Sequence, residues 1–213
     1  VTPISLLQKL VRGEEALRSV TLVEGWTFRQ MRDALKKADQ LKPESQALSA
    51  SEIMAQLGRP DVPAEGHFFP DTYTYSKGSS DLAVLKRAMQ AMDKRLAAAW
   101  EQRSSNSSLK TPEQALVLAS IVEKETGAPA DRPTISAVFN NRLAIGMRLQ
   151  TDPTVIYGLG ETFDGNLRKK DLLADTPWNT YTRAGLPPTP IAMPGKASLL
   201  AAVQPADSKA LYF

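Results

Sequence analysis

Residues 111–127 constrain the fold more than any other segment. Thr111-Pro112-Glu113-Gln114 makes a helix start, with Thr as N-cap, Pro at the first helical position and Gln placed to close a capping box. The chain then runs from Ala115 to Thr126 without a breaker, and Gly127 can end it. Leu118, Ile121 and Val122 fall on one apolar stripe, while Leu116 lies to one side of it. This helix is therefore expected to be buried on more than one face, which puts it at the centre of a domain.

Its neighbours can be read on both sides. Residues 82–100 are amphipathic, with Leu85, Ala88, Met89, Met92 and Leu96 along one face. Residues 133–144 turn Ile135, Val138, Phe139 and Leu143 toward a core, and Gly146 ends them. Asp152-Pro153 reads as a cap-and-start pair for a helix carrying Val155, Ile156 and Tyr157, and residues 197–203 make a short closing helix. A polar loop is expected at 103–110 and a short strand at 147–150. Between 175 and 195, Pro177, Pro187, Pro188, Pro190 and Pro194 enforce a rigid irregular segment of the kind that lines a cleft.

Nearer the start the pattern changes. A helix at 4–11 stopped by Gly13, a strand at 17–23, a helix from its cap Thr27 through Leu35, and a helix at 51–57 stopped by Gly58 compose a small α/β module. Residues 59–75, rich in Pro, Gly and aromatics, read as an ordered junction packed onto a second domain. The expected architecture is α+β. A module at 1–64 precedes a mostly helical domain at 65–213, which has short strands and a proline-rich cleft loop.

Composition narrows the chemistry. With 42% apolar and 23% charged residues the chain can bury a core, yet no stretch approaches the roughly 18 to 20 apolar residues of a membrane span. There is no cysteine and a single histidine, His67, so Cys/His zinc sites, cysteine nucleophiles and disulfides are excluded. No phosphate-cradling or dinucleotide-binding glycine motif occurs. The net charge of +3 is scattered, and its densest cluster, Arg168-Lys169-Lys170, is followed at once by Asp171. A solvated face explains that cluster, and no nucleic-acid partner is expected. No metal or cofactor is expected either. Carboxylate chemistry remains, or none.

One carboxylate is oddly placed. At ~100° per residue, Glu125 falls about −20° from Leu118, in the middle of the apolar stripe, whereas Glu123 falls at about +140°. Desolvation there disfavours the charged form of Glu125, the condition a general acid needs. A terminal-turn glutamate swinging to solvent, or a structural ion pair, would look the same in sequence. Glu123 reads as an exposed helix charge. Amides, hydroxyls and rings suited to a sugar are available at Asn140, Asn141, Gln150, Thr151, Asp152, Asn179, Thr180 and Tyr181. Each has a plainer reading: Asp152 as an N-cap, the two asparagines as partners for nearby backbone, Tyr157 as core.

These same residues carry a family resemblance. Glu65-Gly-His-Phe-Phe-Pro-Asp-Thr-Tyr73, Leu118-Ala-Ser-Ile-Val-Glu-Lys-Glu-Thr126, Phe139-Asn-Asn-Arg-Leu143 and Gly146-Met-Arg-Leu-Gln-Thr-Asp-Pro-Thr-Val-Ile-Tyr-Gly158 resemble the YceG-like family of endolytic murein transglycosylases. Asn179-Thr-Tyr181, Gly185-Leu-Pro-Pro188, Pro190-Ile191 and Pro194-Gly195 complete the set, in order, over about residues 65–205. The module at 1–64 resembles the family's LysM-like subdomain more loosely. One departure is Thr189, where the family pattern suggests Gly.

The resemblance implies that Glu125, second glutamate of Glu-Lys-Glu, is the catalytic acid, with Asn141, Gln150, Thr151, Asp152, Asn179 and Tyr181 around the substrate. It implies cleavage of the MurNAc–GlcNAc bond of peptidoglycan strands to leave 1,6-anhydro-MurNAc ends. It also implies an N-terminal anchor in the cytoplasmic membrane and a site of action outside that membrane. There, beside the wall-synthesis machinery, cleavage would end strand elongation. Two other readings stay open: a hydrolase on the same glycan using Asp152 or Glu123, and a catalytically silent peptidoglycan-binding scaffold.

Overall fold

The described residues are 2–4 and 17–213 of a computed structural model. Beyond Ile4, the helix expected at 4–11 and its stop at Gly13 lie outside them. Strand β1 (Arg18–Thr21) leads to helix α1 (Phe28–Lys37), a tight turn of 3-10 helix (Glu44–Ala47) and helix α2 (Ala50–Gln56). Thr27 caps α1 and Ser49 caps α2, each in a full capping box with Gln30 and Glu52 respectively. Strand β2 (Thr72–Tyr75) then pairs antiparallel with β1, Val20 opposite Tyr73. This strand lies at the end of the stretch read as an ordered junction, where no strand is expected, although its Thr-Tyr-Thr-Tyr alternates exposed and buried as a half-covered strand must.

Helix α3 (Asp81–Glu101) links two hydrophobic cores. Its first half gives Val84, Leu85, Ala88 and Met89 to a core shared with Leu22, Met31, Leu35, Ile53 and Tyr73. Its second half gives Met92 and Ala99 to the larger core, with Leu96 and Trp100 packed at the edge. Phe68 and Phe69 divide the same way. Phe68 stacks on Phe28 at 5.0 Å in the first core, and Phe69 enters the second. The first core thus draws on residues on both sides of position 64.

The second core surrounds helix α4 (Pro112–Glu125), in which every residue from 115 to 122 is buried. Around it pack α5 (Arg132–Ala144), α6 (Asp152–Leu159) and α8 (Lys196–Val203), with the short α7 (Lys169–Leu173) beside α6. The Thr111 hydroxyl accepts from Gln114 N–H, but the Gln114 side chain accepts from Lys110 N–H instead of closing the expected box. Helix α4 stops at an extended Thr126, without a left-handed Gly127.

Residues 147–150 are a correction: they form no strand. Gln150 adopts a left-handed backbone (φ 51), and that breaks any extended run. The proline-rich segment from 175 to 195 is anchored to the helix it covers. Ile191 N–H donates to Ser120 Oγ at 3.0 Å, and Ser120 in turn donates to Val117 C=O. Gly25 and Trp26 exchange backbone hydrogen bonds with Met193, which ties this loop to the N-terminal module.

Candidate active site

Glu125 is the last residue of α4, and the preceding buried turns fix where it stands. Its side chain is half-buried, and Oε2 accepts a 2.7 Å hydrogen bond from the hydroxyl of Thr151, the residue that opens α6. Thr151 is itself fixed: its N–H donates to Thr180 Oγ1 at 3.1 Å, and its C=O accepts from Thr154 Oγ1 at 2.7 Å. Gln150 N–H donates to Thr180 C=O, and the strained Gln150 backbone leaves that side chain exposed beside the glutamate's partner. A left-handed non-glycine residue costs about 1–2 kcal/mol, and such strain collects at functional sites.

Asp152 is the first residue of α6, not its cap; the N-cap is Thr151, which makes no capping side-chain bond. The exposed Asp152 carboxylate accepts from the Tyr181 hydroxyl at 2.6 Å. Burial, then the bond to Asp152 and the nearby Asp152 and Glu125 carboxyls, push Tyr181 up to about 12, so it stays a neutral donor. Glu125, Thr151, Asp152, Tyr181 and the Gln150 backbone thus converge where α4 ends and α6 begins.

The other residues expected at the site lie elsewhere or are already occupied. Asn179 is fully buried. Its amide donates to Leu172 and Ala174 carbonyls, and its oxygen accepts from Tyr181 and Thr182 N–H, so it builds the loop that presents Tyr181. Asn141 donates to the carbonyls of Ser208 and Ala210, latching the C-terminal segment onto α5. Asn140 is spent on Ser108 and Ser136.

Glu123 is a correction. Instead of an exposed charge, its side chain is only 6% exposed. It pairs with Arg132 at 3.0 Å and accepts from Gly195 N–H and Ser198 Oγ at the start of α8. The ion pair and those two donors use up its oxygens, so it is not free to activate water. Thr189 has no left-handed backbone, and its hydroxyl accepts from the Trp178 indole N–H at 2.9 Å. The missing glycine is therefore no defect in the loop.

Sequence reasoning passes over Glu65 as chemistry. Its carboxyl accepts from Phe28 N–H at 3.1 and 3.2 Å and from the Tyr157 hydroxyl at 3.2 Å. Burial raises it to about 7, against the lowering effect of those bonds. The readable signal is a carboxylate set just ahead of the aromatic pair Phe68-Phe69. Among the described residues no group of three or more His, Asp or Glu is arranged to hold a metal ion, and no helix is long and apolar enough to cross a membrane.

Fold and site together define an α+β protein that presents a single glutamate from the end of a buried helix, beside the start of the next helix that packs on it. The chain matches the YceG-like family over residues 1–213 and belongs to it. It is 33% identical to an endolytic murein transglycosylase of Bacillus subtilis (strain 168), over 98% of this chain and 62% of that protein. To one from Streptococcus pneumoniae serotype 2 (strain D39) it is 31% identical, over 70% of this chain and 27% of that protein. The chain thus spans less than two thirds of the length of these relatives. A crystal structure of a YceG-like protein from Listeria monocytogenes aligns with a TM-score of 0.76 at 31% identity, covering 100% of this chain and 75% of that one.

Proposed function

We propose that this chain is a lytic transglycosylase domain that cuts peptidoglycan strands between MurNAc and GlcNAc, with Glu125 as acid and then base. The observation that carries the reading is the Thr151–Glu125 hydrogen bond. That bond holds the carboxyl in one orientation, from a residue itself anchored by Thr180 and Thr154, as a group that must pass a proton to and from a sugar has to be held. The relatives named endolytic murein transglycosylases supply the substrate class.

Glu125 gives its proton to the glycosidic oxygen, the bond from that oxygen to the MurNAc anomeric carbon breaks, and GlcNAc leaves as an alcohol. The MurNAc N-acetyl oxygen stabilises the positive charge left on the anomeric carbon. The Glu125 carboxylate then takes the proton of the C6 hydroxyl of the same sugar, whose oxygen closes onto the anomeric carbon. One C–O bond is broken and one formed, no water is consumed, and Glu125 ends protonated as it began. Most glycosidases need two carboxylates because water must be activated or an intermediate trapped; here the substrate supplies the nucleophile. Tyr181 and Gln150 stand where they can bind sugar hydroxyl and N-acetyl groups.

Mass spectrometry of products from defined uncrosslinked strands tests the reaction. Ends one water lighter than reducing MurNAc are expected. Reducing ends would instead establish a hydrolase, for which Asp152 is the available second carboxylate. Strand binding without new ends would establish a silent scaffold. The same reading places the domain outside the cytoplasmic membrane, held by an N-terminal anchor near wall synthesis, where cutting ends strand elongation. Fractionation and protease accessibility of the full-length protein in cells test that location.

A further inference from the structure

We infer that the trough between the N-terminal module and α6 is a second saccharide subsite, which holds the glycan strand beyond the bond that Glu125 cuts. Two hollows of about 770 and 870 Å³ meet there and share Arg29, Glu65, Tyr157 and Trp178 as wall. Volumes of this order suit small-ligand sites. The trough also comes up to the candidate site, because Lys124 and Pro153, the chain neighbours of Glu125 and Asp152, line it.

The chemistry of the wall selects a sugar. Trp178 packs edge-to-face on Tyr157, with centroids 5.4 Å apart and planes at 67°, so the two rings brace each other as a rigid apolar surface. The C–H faces of pyranose rings lie well on such surfaces. The indole N–H is already committed to Thr189 and leaves the Trp178 ring as a platform. Polar recognition falls to the Glu65 carboxyl, which retains accepting capacity beyond its bonds to Phe28 and Tyr157. Lys124 supplies a cation for the lactyl or stem-peptide carboxylate that MurNAc carries. Arg29 of α1 pairs with Glu161, just past α6, and this ion pair joins module and catalytic domain along the trough. The N-terminal module thereby becomes one wall of the substrate site.

The inference rests on the glycan-cleaving reading, and its test separates the two. The whole chain carrying Glu125→Gln is titrated with a defined uncrosslinked GlcNAc–MurNAc strand long enough to reach both position 125 and the trough, while tryptophan indole N–H resonances are followed by NMR. The Trp178 indole signal should move and that of Trp100, outside the trough, should stay. Adding Trp178→Ala or Lys124→Glu should weaken binding about tenfold in each case. Lys124 is exposed, so that variant carries the test should Trp178→Ala fail to fold. A Trp178 signal that the strand leaves in place, an absence of strand binding, or parental affinity in both variants overturns the subsite. Cleavage persisting in Glu125→Gln would instead overturn the catalytic assignment.

Discussion

The Thr151 hydroxyl stands 2.7 Å from Oε2 of Glu125, and this one contact couples the end of α4 to the start of α6. It fixes the rotamer of the carboxyl from a residue that is itself held by Thr180 and Thr154. Thr151→Val keeps the shape and removes the donor. It should lower kcat on glycan strands by about tenfold to a hundredfold, the scale of a slightly misplaced catalytic group. Thr151→Ser should recover most of the loss, with melting temperatures checked in parallel. A valine variant as active as the parent would show that the contact positions nothing.

Glu123 and Glu125, two residues apart, should respond in opposite ways. Glu123→Ala leaves the Arg132 guanidinium buried without its partner, and losing one member of a buried pair costs about 3–5 kcal/mol. Denaturant unfolding should show that loss, while the fraction still folded should cut strands at close to the parental rate.

Gly66 has φ +83, and a Cβ there would run into the Pro190 ring. Both the backbone and the rigid ring oppose a side chain, so Gly66→Ala should destabilise by about 2–4 kcal/mol in thermal or chemical unfolding. Pairing it with Pro190→Ala should return only the steric part and leave the left-handed cost of about 1–2 kcal/mol.

How far the sequence shows all this depends on the range of each interaction. Local signals read correctly: the Thr111-Pro112 start, the apolar stripe around Leu118, the Thr27 cap and the amphipathic face of α3 all act within a few residues. What stays hidden depends on distant partners. Glu123 looks like a surface charge on its own helix wheel, because Arg132 and the start of α8 arrive from elsewhere in the chain. Strand β2 gains its meaning from β1, some fifty residues earlier. Asn179 reads as a sugar ligand because an exposed amide and an amide spent on its own loop have the same sequence.

Glu65 should make stability depend on pH. Its folded-state value of about 7 exceeds the ordinary 4.5, with burial as the main cause, so the native state binds the proton more tightly than the unfolded chain does. The stabilisation is fully present below pH 4.5 and is lost as pH rises through 7, with an upper bound of about 3 kcal/mol. Glu65→Gln should flatten that part of the stability–pH curve measured by urea unfolding. An unchanged slope would show that Glu65 titrates normally.

The central claim is that one carboxyl does the acid–base work, and Glu125→Gln tests it most directly. The amide keeps the size and can still accept from Thr151, but it has no proton to give to a glycosidic oxygen. Incubated with purified glycan strands, the variant should melt at the parental temperature and release no new ends. Cleavage at near the parental rate would contradict the account.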